Sequence, residues 1–452
     1  MFTTGFSTGN AGENLNIETN TLLVKDGARV SASTFGEGKG GNITVEAEDI
    51  QLTDENKDGL PGGLFTTAFS TGSAGESLNI KTNTLFVKDG AEVNASTDAA
   101  GDGGNINIEA EDIQLIGERK NGSPGGLFTK TDSIGNAGKN LNIKTNTLLV
   151  KDGARVSAST SGAGAGGDIT VNARNILKVE NEAQINAEGS STGRAGNLFI
   201  NADSIRLNNK AQLNASTQSN KVDSERQATI NITSKDLIMR DESKIVTNAQ
   251  GDNVIGGNIE MSTDILAALE NSDISANSLN FRGGNVKIEA QGIFGTQFRP
   301  QLTPKSDITA TGADDIDNSS GIVEIITPNI DLNSGLITLA TIPVETEVAQ
   351  TCATGSSIAQ SRFEIIGRGG LPHLPTDALS ADAVEVDLVS IKPEVNKPAV
   401  TNISTKPQTS TPKKIVEANG WIRNQKGEIL FVADASNGKQ VDNWYNKNNC
   451  RG

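Results

Sequence analysis

Apolar and polar residues alternate with period two through most of the first 340 positions, and one short pattern keeps returning. A small residue or Gly is followed by Asn, Asp or another polar residue and then by apolar-x-apolar. It reads "NLNI" (Asn14–Ile17), "NITV" (Asn42–Val45), "SLNI" (Ser77–Ile80) and "NINI" (Asn105–Ile108). It continues through "NLNI", "DITV", "NLFI", "TINI", "NIEM" and "NVKI" to "IVEI" (Ile322–Ile325). The final residues are Ile17, Val45, Ile80, Ile108, Ile143, Val171, Ile200, Ile232, Met261, Ile288 and Ile325. They are spaced by 28, 35, 28, 35, 28, 29, 32, 29, 27 and 37 residues. The basic unit is therefore about 28 to 29 residues, enlarged in places by a loop.

Each unit holds three alternating segments, such as "NLFINA" (Asn197–Ala202), "SIRL" (Ser204–Leu207) and "AQLNAST" (Ala211–Thr217). Period-two alternation marks strands with one buried face. Asp-Gly, Gly-Asn and Ser-Thr clusters punctuate them as turns require. The one helical candidate, "DILAALENS" (Asp264–Ser272), reads equally well as a strand with its turn. Three short strands per unit without long connections predict a right-handed parallel β-helix of about eleven coils. At roughly 4.8 Å per coil the rod is on the order of 50 Å long. Val24, Leu213 and Ile245 are expected in an inward aliphatic column, with Asn ladders at the turns. The unit is short for a four-stranded propeller blade, the competing all-β arrangement.

A longer period overlies the short one. "TNTLLVKDGARVSAST" occupies Thr19–Thr34 and returns unchanged at Thr145–Thr160, with a near-copy at Thr82–Thr97. In a solenoid each repeat touches only its neighbours, so duplication reproduces its own interface. The stretch is read as strand, Asp-Gly turn and strand, with Val30 and Ala32 inward. Met1 aligns with Leu64 and Leu127, inside a repeat, so the chain is expected to be the C-terminal part of a longer protein or to come from a truncated reading frame. Regularity stops near residues 341–347. The expected organisation is a β-helix over 1–347, a tail segment over 348–390, a Pro/Thr/Lys-rich linker over 391–414 and a β-hairpin segment over 415–452, built on "GWIRN" and "EILFVA".

Composition narrows the function classes. Aromatics make up 4% of residues, too few for several globular cores, and 49 glycines accompany them. The formal charge is −16, without a basic patch interleaved with aromatics. That disfavours nucleic acid and anionic membrane surfaces as partners. No apolar run approaches a membrane span, and no basic n-region and apolar h-region of a signal peptide is visible.

Candidate chemistry is sparse. "DENKDG" (Asp54–Gly59) matches the first half of a calcium loop through Asp54, Asn56 and Asp58. The position of its bidentate Glu is Phe65, and the next copy, "GERKNG" (Gly117–Gly122), has lost the ligands. A polar turn is the simpler reading. Carboxylates such as Glu46, Glu48 and Asp49 recur with the repeats, whereas a catalytic pair should break the repeat once. Asp314, Asp315 and Asp317 do so, in a polar insertion that reads as solvated. His373 is the single histidine and has no nucleophile or second His beside it in sequence. "GAGAGG" (Gly162–Gly167) lacks the Lys-Ser/Thr of a phosphate loop. No catalytic residues and no cofactor are expected.

The tail carries a more specific signal. Cys352, Gly355, Ser361, Phe363, Gly367, Arg368, Gly369, Gly370, Leu371 and Pro372 are followed by a Pro-rich linker and then by Trp421 and Cys450. This pattern resembles the C-terminal region of cyanobacterial filamentous-haemagglutinin-like exoproteins, also described as S-layer family proteins, and the upstream repeats resemble their β-helical shaft. The resemblance implies two-partner secretion through a dedicated outer-membrane β-barrel transporter, and a secreted or outer-surface location. The N-terminal domain that engages such a transporter is not in this sequence. It also implies a setting that permits a Cys352–Cys450 disulfide, two free thiols being the alternative. The expected function is that of a non-enzymatic β-helical adhesin or structural exoprotein. It would display the loops near Leu52–Gly63 and Leu115–Gly126 to a cell-surface or extracellular glycan or protein. A carbohydrate-active β-helix enzyme and a passive surface-layer or biofilm matrix component are the alternatives.

Overall fold

The alternating segments fold as strands that pair, coil upon coil, with their own copies. The computed structural model describes residues 9–11, 14–98, 100–218, 228–314 and 316–328, together with the backbone of 420–423 and 429–432. Cys352, Cys450, the motif from Gly367 to Pro372, His373 and the linker lie outside the described residues. The chain divides into two units, Met1–Pro343 and Val344–Gly452. In the second, Gly420–Arg423 pairs antiparallel with Ile429–Val432, Trp421 facing Phe431 in register, as expected of a hairpin.

The first unit is a parallel β-solenoid without a helix among the described residues. One sheet is made of long strands such as Asn42–Thr53 and Asp168–Glu180. In two coils the long strand is split, into Ser77–Lys81 with Thr84–Lys88 and Asn105–Glu109 with Asp112–Ile116. Thirteen strands with two split coils make eleven rungs. Every expected pairing is in register. Ile17 faces Val45, Val45 faces Ile80, and the series runs unbroken through Ile143, Val171, Ile200, Ile232 and Met261 to Ile288 and Ile325. The second sheet stacks three-residue strands, from Arg29–Ser31 to Asp307–Thr309. A third column of single bridges, Thr34–Ala68–Thr97–Thr131–Thr160 and onward to Ser278, turns the chain back.

Two expectations need correction. The first two of the three short strands are one continuous strand in most coils. At the bend the pairing skips one residue after Ala47 and takes up a bulge after Ala173, and it then resumes along the same strand. Val24 also does not share a column with Leu213 and Ile245. Val24 pairs with Leu52 in the long sheet, and Leu213 pairs with Ile245 in the short one. All three are buried, but Val24 belongs to the wall opposite the one that holds Leu213 and Ile245. Sequence alternation identifies an inward position without saying which wall it belongs to. The core is built from these two walls, with Ile43, Leu52, Leu85 and Ile113 opposite Leu64, Val93, Leu127 and Ile185. Asp264–Ser272 is the end of strand Asn258–Ala268 followed by a turn with Glu270 and Asn271 at positive φ.

At the corner before each long strand stands a spine of glycines: Gly41, Gly75, Gly104, Gly138, Gly167, Gly196 and, after Ala228, Gly257, Gly284 and Gly321. A Cβ on Gly167 would lie 1.8 Å from the Gly138 carbonyl oxygen, and one on Gly138 would lie 1.9 Å from that of Gly104. Where glycine stacks on glycine the coils come closer than a Cβ allows, which is why most repeats begin with Gly. Gly167→Ala is expected to lower the urea midpoint by the equivalent of about 1–3 kcal/mol or more, since the obstacle is backbone. Gly9→Ala, with no neighbour within 4 Å, should stay within about 0.5 kcal/mol.

Candidate functional site

The outward face of the long sheet carries amide ladders. The Asn42 amide donates to Asn14 Oδ1 at 3.1 Å, and the Ser77 backbone N–H donates to Asn42 Oδ1 at 2.9 Å. The Asn140 backbone N–H donates to Asn105 Oδ1, and both N–H groups of Asn197 donate to Asp168 Oδ1, all at 2.9 Å. Two residues further along each strand a second ladder runs from Asn142 to Asn107 to Asn79, each amide donating to the one before at 2.9 Å. Each coil offers the same donor and acceptor at the same height, so the amides saturate one another while staying at the surface.

Between this sheet and the glycine corner lies a groove of about 1300 Å³. Its lining begins at Lys39 and ends at Glu260. That is eight rungs and seven steps between them, roughly 34 Å at the strand spacing. The floor is formed by small residues, among them Ala74, Gly103, Ala137, Gly166 and Ala195, and by the Asn105–Asn140–Asp168–Asn197 ladder. Lys39, Lys139 and Arg194 face Glu76, Asp102, Asp168 and Glu260 along it, so neither sign dominates. One aromatic, Phe199, interrupts the polar lining.

The second feature is a pair of loops, 54–62 and 117–125, inserted between the long and short sheets in alternate coils. They are fixed rather than loose. Arg29 Nε donates to the Pro61 carbonyl at 2.8 Å, and the Arg29 guanidinium lies 4.5 Å over the Phe65 ring. Lys120 Nζ lies 3.6 Å from Glu55 Oε1, joining the two loops. Beneath them sits Glu92, 6% exposed. Arg119 NH2 lies 3.5 Å from its Oε1, and the Asn94 amide donates to its Oε2 at 2.8 Å. Burial raises the Glu92 pKa above the ordinary carboxylate value, and the Asn94 hydrogen bond and the charges of Arg119, Lys130 and Arg29 only partly oppose it.

The same loops show how identical sequence acquires different surroundings. Arg155 stands where Arg29 stands in the repeated stretch, yet the coil that follows it turns directly through Asn181 and Glu182. With no loop carbonyl above it, Arg155 Nε is buried without a hydrogen-bond partner.

The calcium candidates fall in the first loop. Asn56 Oδ1 accepts the backbone N–H groups of Asp58 and Leu60, both at 2.9 Å, so it closes the turn. Asp54 is at positive φ, Asp58 is exposed, and the buried acid of the loop is Glu55 between them. Among the described residues no group of three or more His, Cys, Asp or Glu side chains converges as a metal site. Asp314 and Asp317 are exposed, and Asp315 lies outside the described residues. Trp421 has its backbone in the hairpin strand Gly420–Arg423.

Two acidic features escaped the sequence reading. Glu92 replaces the Arg of the sister repeats within an ordinary strand, "AEVNAST", and only that exchange could have flagged it. Asp98 and Asp132 follow the bridged pair Thr97 and Thr131, so they stand one rung apart. Asp98 is raised by burial and then by Asp132, and the Ser161 hydroxyl donates to Asp132. Both aspartates are exposed on an open corner. Comparison with protein-family models, with curated proteins and with solved structures returns no match.

The raised carboxylates set a pH dependence. Glu92, Glu188, Asp98 and Asp273 all bind a proton more tightly in the fold than ordinary carboxylates do, each chiefly through burial. The folded state therefore holds more protons, and stability falls as pH rises from about 4.3 through the raised values. Acidification from pH 7 toward about 5 should raise the thermal midpoint. Below the carboxylate range the sign reverses, because ion-paired Glu109 and Glu270 are lowered by Lys144 and Arg240. Glu92→Gln should be more stable than the parent at pH 7 and show a flatter profile between pH 5 and 7. A lower midpoint at pH 7 would mean that the Arg119 pairing outweighs the cost of burial.

Proposed function

We propose that this chain is a non-enzymatic secreted or cell-surface structural exoprotein of haemagglutinin-like, adhesive type, whose solenoid displays loops for contact with cells or extracellular polymers. The observation that carries the reading is the loop pair. Residues 54–62 and 117–125 are the insertions that alternate through the double repeat. They are braced on each other by Lys120 with Glu55, and by the Arg119 NH1 that reaches the Gly59 carbonyl at 3.5 Å. Bracing removes the ordering cost that a mobile loop meets on binding. The loops nevertheless keep an apolar residue and a cation outward, Leu60 at 50% exposed and the Lys120 side chain at 88%. The tail signature supports an exported, haemagglutinin-like protein with an outer-membrane two-partner-secretion transporter as its export partner.

A catalytic reading has less to stand on. Among the described residues, the one deeply buried glutamate with an arginine beside it is covered by the loops, and the Asp98–Asp132 pair faces open solvent, where water exclusion is lost. The test is retention of the labelled chain on whole cells and on polysaccharide-coated surfaces, with a Leu60→Asp, Lys120→Glu double variant as comparison. Retention should fall about tenfold with the circular dichroism spectrum unchanged. Undiminished retention would remove the loops from the contact surface.

A further inference from the structure

The groove beside the glycine corner is independent of the loops, and its chemistry is more specific. It is long and thin. About 1300 Å³ spread over roughly 34 Å leaves a cross-section of ~40 Å², the width of a single extended polymer chain. A compact metabolite would occupy a small fraction of it.

Its polar groups repeat at every rung, which suits a ligand that itself repeats. Asn105, Asn140, Asn197 and Asn258 recur along the floor. Hydrogen bonds hold the Asn105, Asn197 and Asn258 amides in one orientation, so little order has to be imposed there when a ligand arrives. The charges of the lining nearly cancel, and the chain as a whole carries −16. A polyanion is therefore repelled at long range and finds no basic track within the groove.

Phe199 breaks the repeat. In its column stand Asn107, Asn142, Thr170, Phe199, Asn231 and Glu260, each in register with the next. The amide ladder that reaches Asn142 stops before it, and beyond it Asn231 donates to Glu260 Oε2 at 3.2 Å. Phe199 is 41% exposed, while the adjacent apolar positions of its strand, Leu198 and Ile200, are buried inward. It therefore contributes little to the core. An apolar ring with an amide, Asn231, beside it in the groove lining matches the apolar face and the hydroxyl rim of a sugar ring.

The geometry points to a binding subsite for a linear, uncharged polysaccharide in this groove, with Phe199 as the stacking platform and the Asn231 side chain as its polar flank. The ligand runs parallel to the solenoid axis, and its successive sugars meet successive rungs.

Calorimetric titration of the full chain tests this with cellohexaose, xylohexaose and mannohexaose as neutral probes and hexagalacturonate as the acidic one. At least one neutral hexasaccharide should bind, and more tightly than the acidic one. Phe199→Ala should weaken that binding about tenfold and Phe199→Trp should retain it. Phe294→Ala, at another exposed Phe outside the groove lining, should leave it unchanged. An unaltered circular dichroism spectrum separates loss of binding from loss of fold. No binding by any neutral probe, equal binding after Phe199→Ala, or tighter binding of hexagalacturonate would each overturn the proposal. The loop reading survives any of these results, since Leu60 and Lys120 lie outside the groove lining.

Discussion

In-register stacking is the constraint on which the rest of this solenoid depends. Each residue of the regular coils has, as its nearest neighbour across the ladder, the residue at its own position one coil away. Apolar positions and amides gain from that arrangement, because an Ile packs on an Ile and an Asn completes the hydrogen bonds of an Asn. Charges do not, since like residues would face each other at the strand spacing. The double repeat answers that difficulty. Glu46, Lys81, Glu109 and Lys144 follow one another in register, with Lys144 Nζ 2.8 Å from Glu109 Oε1. Arg29, Glu92 and Arg155 are likewise separated by Gly63 and Gly126. A single-coil duplication would have placed each charge over its own kind, whereas the two-coil duplication alternates them from Glu46 onward, Glu18 over Glu46 being the exception.

The same constraint governs the turns. Asp26-Gly27, Asp89-Gly90 and Asp152-Gly153 share their positive-φ conformation with Asn181-Glu182, Asn209-Lys210 and Asp241-Glu242. Left-handed backbone alone therefore does not demand glycine here. Glycine is kept where a loop from the neighbouring coil fills the space of a Cβ, as Asn56 does at Gly27, Arg119 at Gly90 and Glu118 at Gly153. Where the loops end, larger residues enter the second turn position. Loop and turn glycine are thus one feature, divided between coils.

Much of this fold was legible because periodicity reports directly on register. Eleven apolar-x-apolar motifs became eleven rungs without a slip, and the Asp-Gly turns, the inward Val30 and Ala32 and the Asn ladders followed from the same spacing. What stayed hidden depends on which wall of the core, or which coil, a residue faces. Val24 and Leu213 look alike in an alternating pattern yet line opposite sheets. The groove draws its lining from Lys39 to Glu260, so no short window contains it. Glu92 looked like one more polar strand residue because its burial comes from loops 30–38 residues earlier and 25–33 residues later in the chain.

A repeat therefore marks what is structural, and a departure from it needs a local cause. Some departures have one in packing: Glu92 relieves a column that would otherwise stack Arg29, Glu92's position and Arg155 as three cations around the loops. Ala228 has a partial cause, since the spine closes again at Gly257, where a Cβ would still lie 2.5 Å from the Ala228 carbonyl oxygen. Phe199 has none. It relieves no charge, fills no core space and interrupts a column whose neighbours on both sides, Thr170 and Asn231, are polar. In a chain with 4% aromatic residues, an exposed ring at a position that is otherwise amide or hydroxyl for several coils lowers solubility and gains no packing. Its energetic justification has to come from outside the solenoid, and the groove it faces has the dimensions of one extended chain.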